Sequence, residues 1–81
     1  MTKQEENKTL LTIGKLAKQS NELVTTIRFW TNEGLLTVRD YSKGGYQLYD
    51  PAMIDLVKKI RQLQTEKRLT IAEIKEQLKN G

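Results

Sequence analysis

The chain contains no cysteine and no histidine. That removes disulfide frameworks, thiolate nucleophiles, zinc sites of the Cys or His type and imidazole acid–base chemistry in one step, and it leaves the redox compartment unreadable. Long apolar runs are missing too: nothing approaches the roughly 18 residues that a membrane span needs. The first nine residues, MTKQEENKT, lack the apolar centre of a secretory signal. A cytoplasmic protein with no membrane role is the expectation. Carboxylates are scattered singly, without a helix-spaced pair beside an apolar cleft, and no glycine-rich phosphate loop precedes a helix. No enzyme, cofactor or metal site is therefore expected. Internal repeats, low-complexity segments and linkers are also lacking, so the chain reads as one domain from 11 to 81 behind a flexible polar tail at 1–10.

What is present is charge. Fourteen Lys and Arg stand against ten Asp and Glu, for a net charge of +4 on 81 residues. A chain this short buries only about 60% or a little more of its unfolded surface, which allows one compact core and no substrate cavity beside it. A basic excess permits binding to nucleic acid or another anionic surface, and where the charges fall decides whether it means more.

The stretch TIGKLAKQSNELVTTIRFWTNEGLL, Thr12 to Leu36, reads as two short helices joined by a tight turn. Ile13, Leu16 and Ala17 share one side of the first helix, and Val24, Ile27 and Trp30 repeat the spacing on the second. Thr12 is placed to cap the first helix, Asn21 to take the left-handed conformation of the turn, and Gly34 to close the second helix with Leu35 folding back on it. Helices joined so closely cross steeply and leave the outer face of the second free. That face carries Thr25, Thr26, Arg28 and Phe29, a set suited to phosphates and base edges.

From Leu36 to Tyr49 the pattern changes to a two-stranded hairpin, with Thr37, Val38 and Arg39 as one β-prone run and Tyr46 to Tyr49 as the other. The loop between, Asp40 to Gly45, has two glycines and Lys43 at its tip. Arg39, Lys43, Tyr46 and Gln47 are the equipment of a phosphate-gripping wing, although a purely structural hairpin closing the core accounts for the same pattern. Asp50 and Pro51 then start a third helix to about Lys67, with Met53, Leu56, Val57, Ile60 and Leu63 inward and Lys58, Lys59 and Arg61 on the exposed side. Thr70 and Glu73 form a capping box for a fourth helix, whose inward face is Ile71, Ile74 and Leu78. Between these helices Glu66 to Leu69 is a basic corner.

In this order and spacing, TIGKLA (Thr12–Ala17), TIRFW (Thr26–Trp30), EGLL (Glu33–Leu36), GYQLY (Gly45–Tyr49) and LTIAEIK (Leu69–Lys75) resemble the DNA-binding domain of the MerR family of bacterial transcription regulators, over Leu11 to Leu78. The resemblance implies a mostly α winged helix-turn-helix of four helices and a hairpin wing. In that family the second helix enters the major groove while the hairpin and the basic corner sit on the backbone. Thr26, Arg28 and Phe29 match the groove-helix contacts, Tyr46 the wing's aromatic residue, and Lys67 and Arg68 the second wing. The chain departs from the pattern at Asn21, where glycine is usual, at Leu23, where a small cap residue is usual, and at Trp30-Thr31 in place of a tyrosine–glutamate pair. Gln47 replaces a basic residue, and Arg68 falls where the second wing has glycine.

Family members continue into a dimerisation helix and an effector-sensing domain, so the 81 residues alone carry the expectation of no effector and of a monomer in free solution that pairs, if at all, on DNA. Double-stranded DNA is the expected partner, with RNA polymerase or a recombinase as the candidate protein partner. Two alternatives remain beside regulation: an excisionase-like factor that bends DNA for a mobile element, and a protein-interaction module that kept the fold. The second is suggested by Glu22, Glu33 and Asp40, acidic residues close to the proposed DNA face.

Overall fold

The computed structural model describes residues 9–80; the expected polar tail up to Lys8 lies outside the described residues. The elements in chain order are β1 (Leu11–Thr12), α1 (Ile13–Ser20), α2 (Val24–Asn32), β2 (Asp40–Tyr41), β3 (Gln47–Tyr49), α3 (Met53–Glu66) and α4 (Ile71–Asn80). No helix is long and apolar enough to cross a membrane among the described residues.

At both ends of α1, at the end of α2 and at the start of α4, the boundary follows from a residue that satisfies the backbone there. The Thr12 hydroxyl accepts the Lys15 N–H at 3.2 Å, which caps α1. At the other end Asn21 takes φ 61°, and the N–H groups of Glu22 and Asn21 return to the carbonyls of Ala17 and Lys18. Helix α2 ends the same way around Gly34, at φ 85°, with Gly34 N–H on Thr31 O at 3.1 Å and Leu35 N–H on Trp30 O at 2.9 Å. Leu35 is thereby folded back and buried, as the sequence predicts. Thr70 and Glu73 exchange reciprocal hydrogen bonds at the start of α4, the Thr70 N–H to Glu73 Oε1 at 2.9 Å and the Glu73 N–H to Thr70 Oγ1 at 3.2 Å.

Leu16, Ile27, Trp30, Tyr49, Val57, Ile60 and Ile74 form the fully buried centre. All four helices and the strand of Tyr49 therefore converge on one core, with Ile13, Val24, Met53, Leu56, Ile71 and Leu78 packed around it.

Three expectations need correction. The β structure is a three-stranded antiparallel sheet of order β1-β3-β2, not a two-stranded hairpin. Leu11 pairs with Tyr49 and Thr12 with Leu48, because an isolated hairpin is marginal and the inner edge of β3 needs a neighbour for its backbone groups. Since Thr12 also caps α1, the sheet is fixed to the start of the first helix.

The strand facing β3 on the outer side is Asp40–Tyr41 rather than the run from Thr37 to Arg39, pairing with Leu48 and Gln47. The turn dictates that register: Ser42 N–H bonds Tyr46 O at 2.9 Å, Gly45 N–H bonds Ser42 O at 2.9 Å, and Gly45 has φ 85°. This is a compact loop of Lys43, Gly44 and Gly45 closed by a left-handed glycine, so pairing begins right beside it.

Helix α3, finally, begins at Met53 rather than at Asp50. Asp50 Oδ1 accepts the Ala52 N–H at 2.9 Å and its carbonyl accepts the Met53 N–H at 2.8 Å. The aspartate thus caps an entry turn through Pro51 and Ala52, one step ahead of the helix.

Candidate nucleic-acid interface

Helix α2 buries Ile27 and Trp30 and half-buries Val24, which consumes one face entirely. The opposite stripe is forced outward: Thr25, Arg28, Phe29 and Asn32, at spacings of three and four, are all exposed. Phe29 is 48% exposed although it is aromatic. Thr26 is half-buried and, with Thr25 and Phe29, lines an open groove completed by Trp30, Arg61 and Gln64. Of the residues expected on the outer face of α2, three therefore point away from the core and Thr26 flanks them.

Around the sheet, Lys43 occupies the outermost turn and is exposed. Tyr46 is 71% exposed, and its ring rests on Gly44, where an added Cβ would come within 3.0 Å of the ring edge. Gly44 is thus the floor on which the aromatic ring lies. The Ser42 hydroxyl accepts the Tyr46 N–H at 3.1 Å, which locks the tip locally. Arg39 sits at the root of the sheet, 3.6 Å from the Asp50 carboxylate, with its side chain 66% exposed. Its charge is shared with an acid rather than wholly available to a partner.

Gln47 is held by an internal chain of hydrogen bonds. The Tyr49 hydroxyl donates to Gln47 Oε1 at 3.3 Å and lies 2.9 Å from Thr31 Oγ1, while Thr31 donates to the Ile27 carbonyl at 2.7 Å. A buried tyrosine from β3 thereby couples the last turn of α2 to the outer strand pair. Trp30 fills the core and Thr31 supplies this link.

At the basic corner, Lys67 follows α3 and borders a groove with Asp55, Lys58, Lys59, Gln62 and Gln77. Arg68 adopts φ 55°, the left-handed conformation that glycine takes readily. Its neighbour Leu69 bonds back to the Leu63 carbonyl at 3.2 Å, so the corner is closed despite the arginine.

Sequence reasoning missed one pair altogether. Arg61, expected on the solvent side of α3, makes a two-toothed contact with Glu22 in the turn before α2: Nε to Oε2 at 2.8 Å and Nη2 to Oε1 at 2.7 Å. The hydrogen bond from Glu22 is the largest influence on the guanidinium and raises its pKa above the usual arginine value, against a smaller lowering by burial. The signal that could have exposed the pair was faint: one acid in a short turn and one arginine beside the edge of an aliphatic stripe.

Residues 11–81 match the family described as MerR HTH family regulatory protein. The chain belongs to the MerR family. Among solved structures, the transcription regulator PbrR691 from Ralstonia metallidurans CH34, in complex with lead(II), superposes with a TM-score of 0.75 at 36% identity, over 85% of this chain and 53% of that one. HiNmlR, a MerR family regulator lacking the sensor domain and bound to promoter DNA, gives a TM-score of 0.71 at 20% identity, over 84% of this chain and 53% of that one. A MerR family transcriptional regulator from Bacillus cereus gives 0.67 at 24%, over 86% and 52%. At those identities the last two likenesses speak for the fold. No protein of curated function matches the chain. The chain spans about half the length of each MerR-family structure it resembles.

Proposed function

We propose that the protein is a bacterial transcription regulator that binds duplex DNA, with α2 in the major groove and the sheet tip and α3–α4 corner on the flanking phosphates. One observation carries this reading: the buried Ile27 and Trp30 leave Thr25, Arg28 and Phe29 together on an outward stripe of a short, well-anchored helix. Arg28 is the residue read as reaching a base edge or a close phosphate, with Thr25, Thr26 and Phe29 beside it. Lys43, Tyr46, Gln47, Arg39, Lys67 and Arg68 are read as backbone contacts, which fix register without carrying sequence information.

The reading is one of binding rather than catalysis. Glu22 and Asp50 are engaged in structural contacts. Glu22 also ceases to argue for a protein-interaction module, because its charge is matched by Arg61. RNA polymerase at a promoter is the protein partner that fits a regulator; a recombinase is the one that fits DNA bending.

The chain is read as a monomer in free solution that pairs, if at all, only on DNA, where adjacent sites raise the local concentration. Ile74 is fully buried, and Ile71 and Leu78 pack against the chain's own core, which supports that state. Sedimentation at micromolar concentration should give a single species of 9.4 kDa, and a concentration-independent dimer contradicts it.

The direct test of function is a salt titration of DNA binding. Neutralising about four to six phosphates gives a slope of log affinity against log salt of roughly −4 to −5. A flat dependence removes the electrostatic basis of the reading.

A further inference from the structure

We propose that Glu22 and Arg61 are positioning residues for sequence reading, a clamp that sets the angle of α2 against α3 and so decides which base edges the α2 side chains reach. The inference rests on the reading of α2 as the groove helix.

Helix α2 begins without help from its own sequence. Leu23 occupies the cap position, offers no side-chain hydrogen bond and is 69% exposed. The fastening comes instead from the residue before it. Glu22 presents both carboxylate oxygens to Arg61, and such a parallel fork fixes the plane of the two groups as well as their distance. The same guanidinium lies 5.3 Å from the centre of the Trp30 ring, within the range of a cation–π contact. Its remaining arm, Nη1, donates to Gln64 Oε1 at 3.1 Å. One planar group thus holds the turn before α2, the last turn of α2 and the adjacent turn of α3.

The Glu22 side chain is 10% exposed and that of Arg61 43%. The carboxylate is shielded while the guanidinium opens onto the groove shared with Thr25, Thr26 and Phe29.

The clamp makes a prediction opposite in sign to simple electrostatics. Removing an acid beside a DNA-binding face should tighten binding to every duplex. Loosening a clamp should weaken binding to the preferred duplex and leave binding to others nearly alone, because non-specific binding depends on charge and specific binding on geometry.

The experiment starts by selecting a preferred duplex from a random-sequence pool with the unaltered protein. Affinity for that duplex and for a scrambled one of the same length is then measured for the unaltered protein, Glu22→Gln, Arg61→Lys, and Glu22→Arg combined with Arg61→Glu. Glu22→Gln and Arg61→Lys should each lower the preferred-to-scrambled ratio about five- to tenfold, the equivalent of one impaired base contact. Arg61→Lys keeps the charge, so its salt slope should not change; the exchanged pair should restore the ratio to within about twofold. Tighter binding of Glu22→Gln to both duplexes, or a ratio unmoved in both single variants, overturns the clamp.

Amide hydrogen exchange along α2 reads the clamp without DNA. Glu22→Gln should accelerate exchange at Thr26 and Ile27, whose N–H groups bond the Leu23 carbonyl. Unchanged exchange there counts against the clamp. An unaltered protein that selects no duplex counts against the DNA reading instead, and the exchange measurement still decides the clamp.

Discussion

Helix α2 is fastened at both ends by residues distant in sequence, Glu22 to Arg61 ahead of it and Thr31 to Tyr49 in its last turn. The loop from Lys43 to Gly45, by contrast, is closed by hydrogen bonds that reach no further than Ser42 and Tyr46. Both regions are proposed to touch the same DNA, so the difference is instructive. A helix that reads base edges must be held to a fixed geometry, since bidentate recognition tolerates little displacement. A lysine on a glycine-rich turn needs only to place charge near a phosphate, and local closure suffices. Long-range fastening in this domain therefore sits where sequence would be read, and purely local closure where the backbone would be gripped.

The largest expected effect lies in the anchor of α2. Trp30 is 2% exposed and sits under the Arg61 guanidinium. Trp30→Ala should destabilise the domain by about 3–5 kcal/mol, measured by urea unfolding. A loss below about 1 kcal/mol would mean that α2 is held by something other than its buried face.

A smaller effect is expected at the start of α2, which has no side-chain cap. Leu23→Ser should stabilise the domain by about 1 kcal/mol, because a serine there can accept an orphan N–H of the first turn. The exposure of Leu23 means little packing is lost. A lower urea midpoint for this variant would show that Leu23 makes a contribution beyond its place at the cap.

The contrast also explains which parts of the molecule could be read from its sequence. Thr12, Asn21, Gly34, Thr70 and Glu73 act on their own neighbours, within three to five residues, so their roles as caps and helix stops were legible. The outward stripe of α2 was legible for the same reason, since a helical period divides Ile27 and Trp30 from Thr25, Arg28 and Phe29 without reference to anything else. What escaped was long-range. Glu22 and Arg61 are 39 positions apart, and a charge on a helix flank looks solvated until its partner is known. Leu11 and Thr12 are too short a strand to show alternation, so β1 was invisible until it paired with Tyr49 and Leu48. Tyr49 read as one more β-prone residue, though it is fully buried and carries the hydroxyl that ties the sheet to α2.

Whether α2 reads sequence while the sheet tip grips backbone is decided by measuring Arg28→Ala and Lys43→Ala on a preferred and a scrambled duplex across a salt series. Arg28→Ala should lose about 1–3 kcal/mol on the preferred duplex and narrow the gap between the two. Lys43→Ala should weaken both duplexes about equally and reduce the salt slope by roughly one. Equal, sequence-independent losses from the two substitutions would contradict the account, because α2 would then be one more backbone contact and the reading element would lie elsewhere.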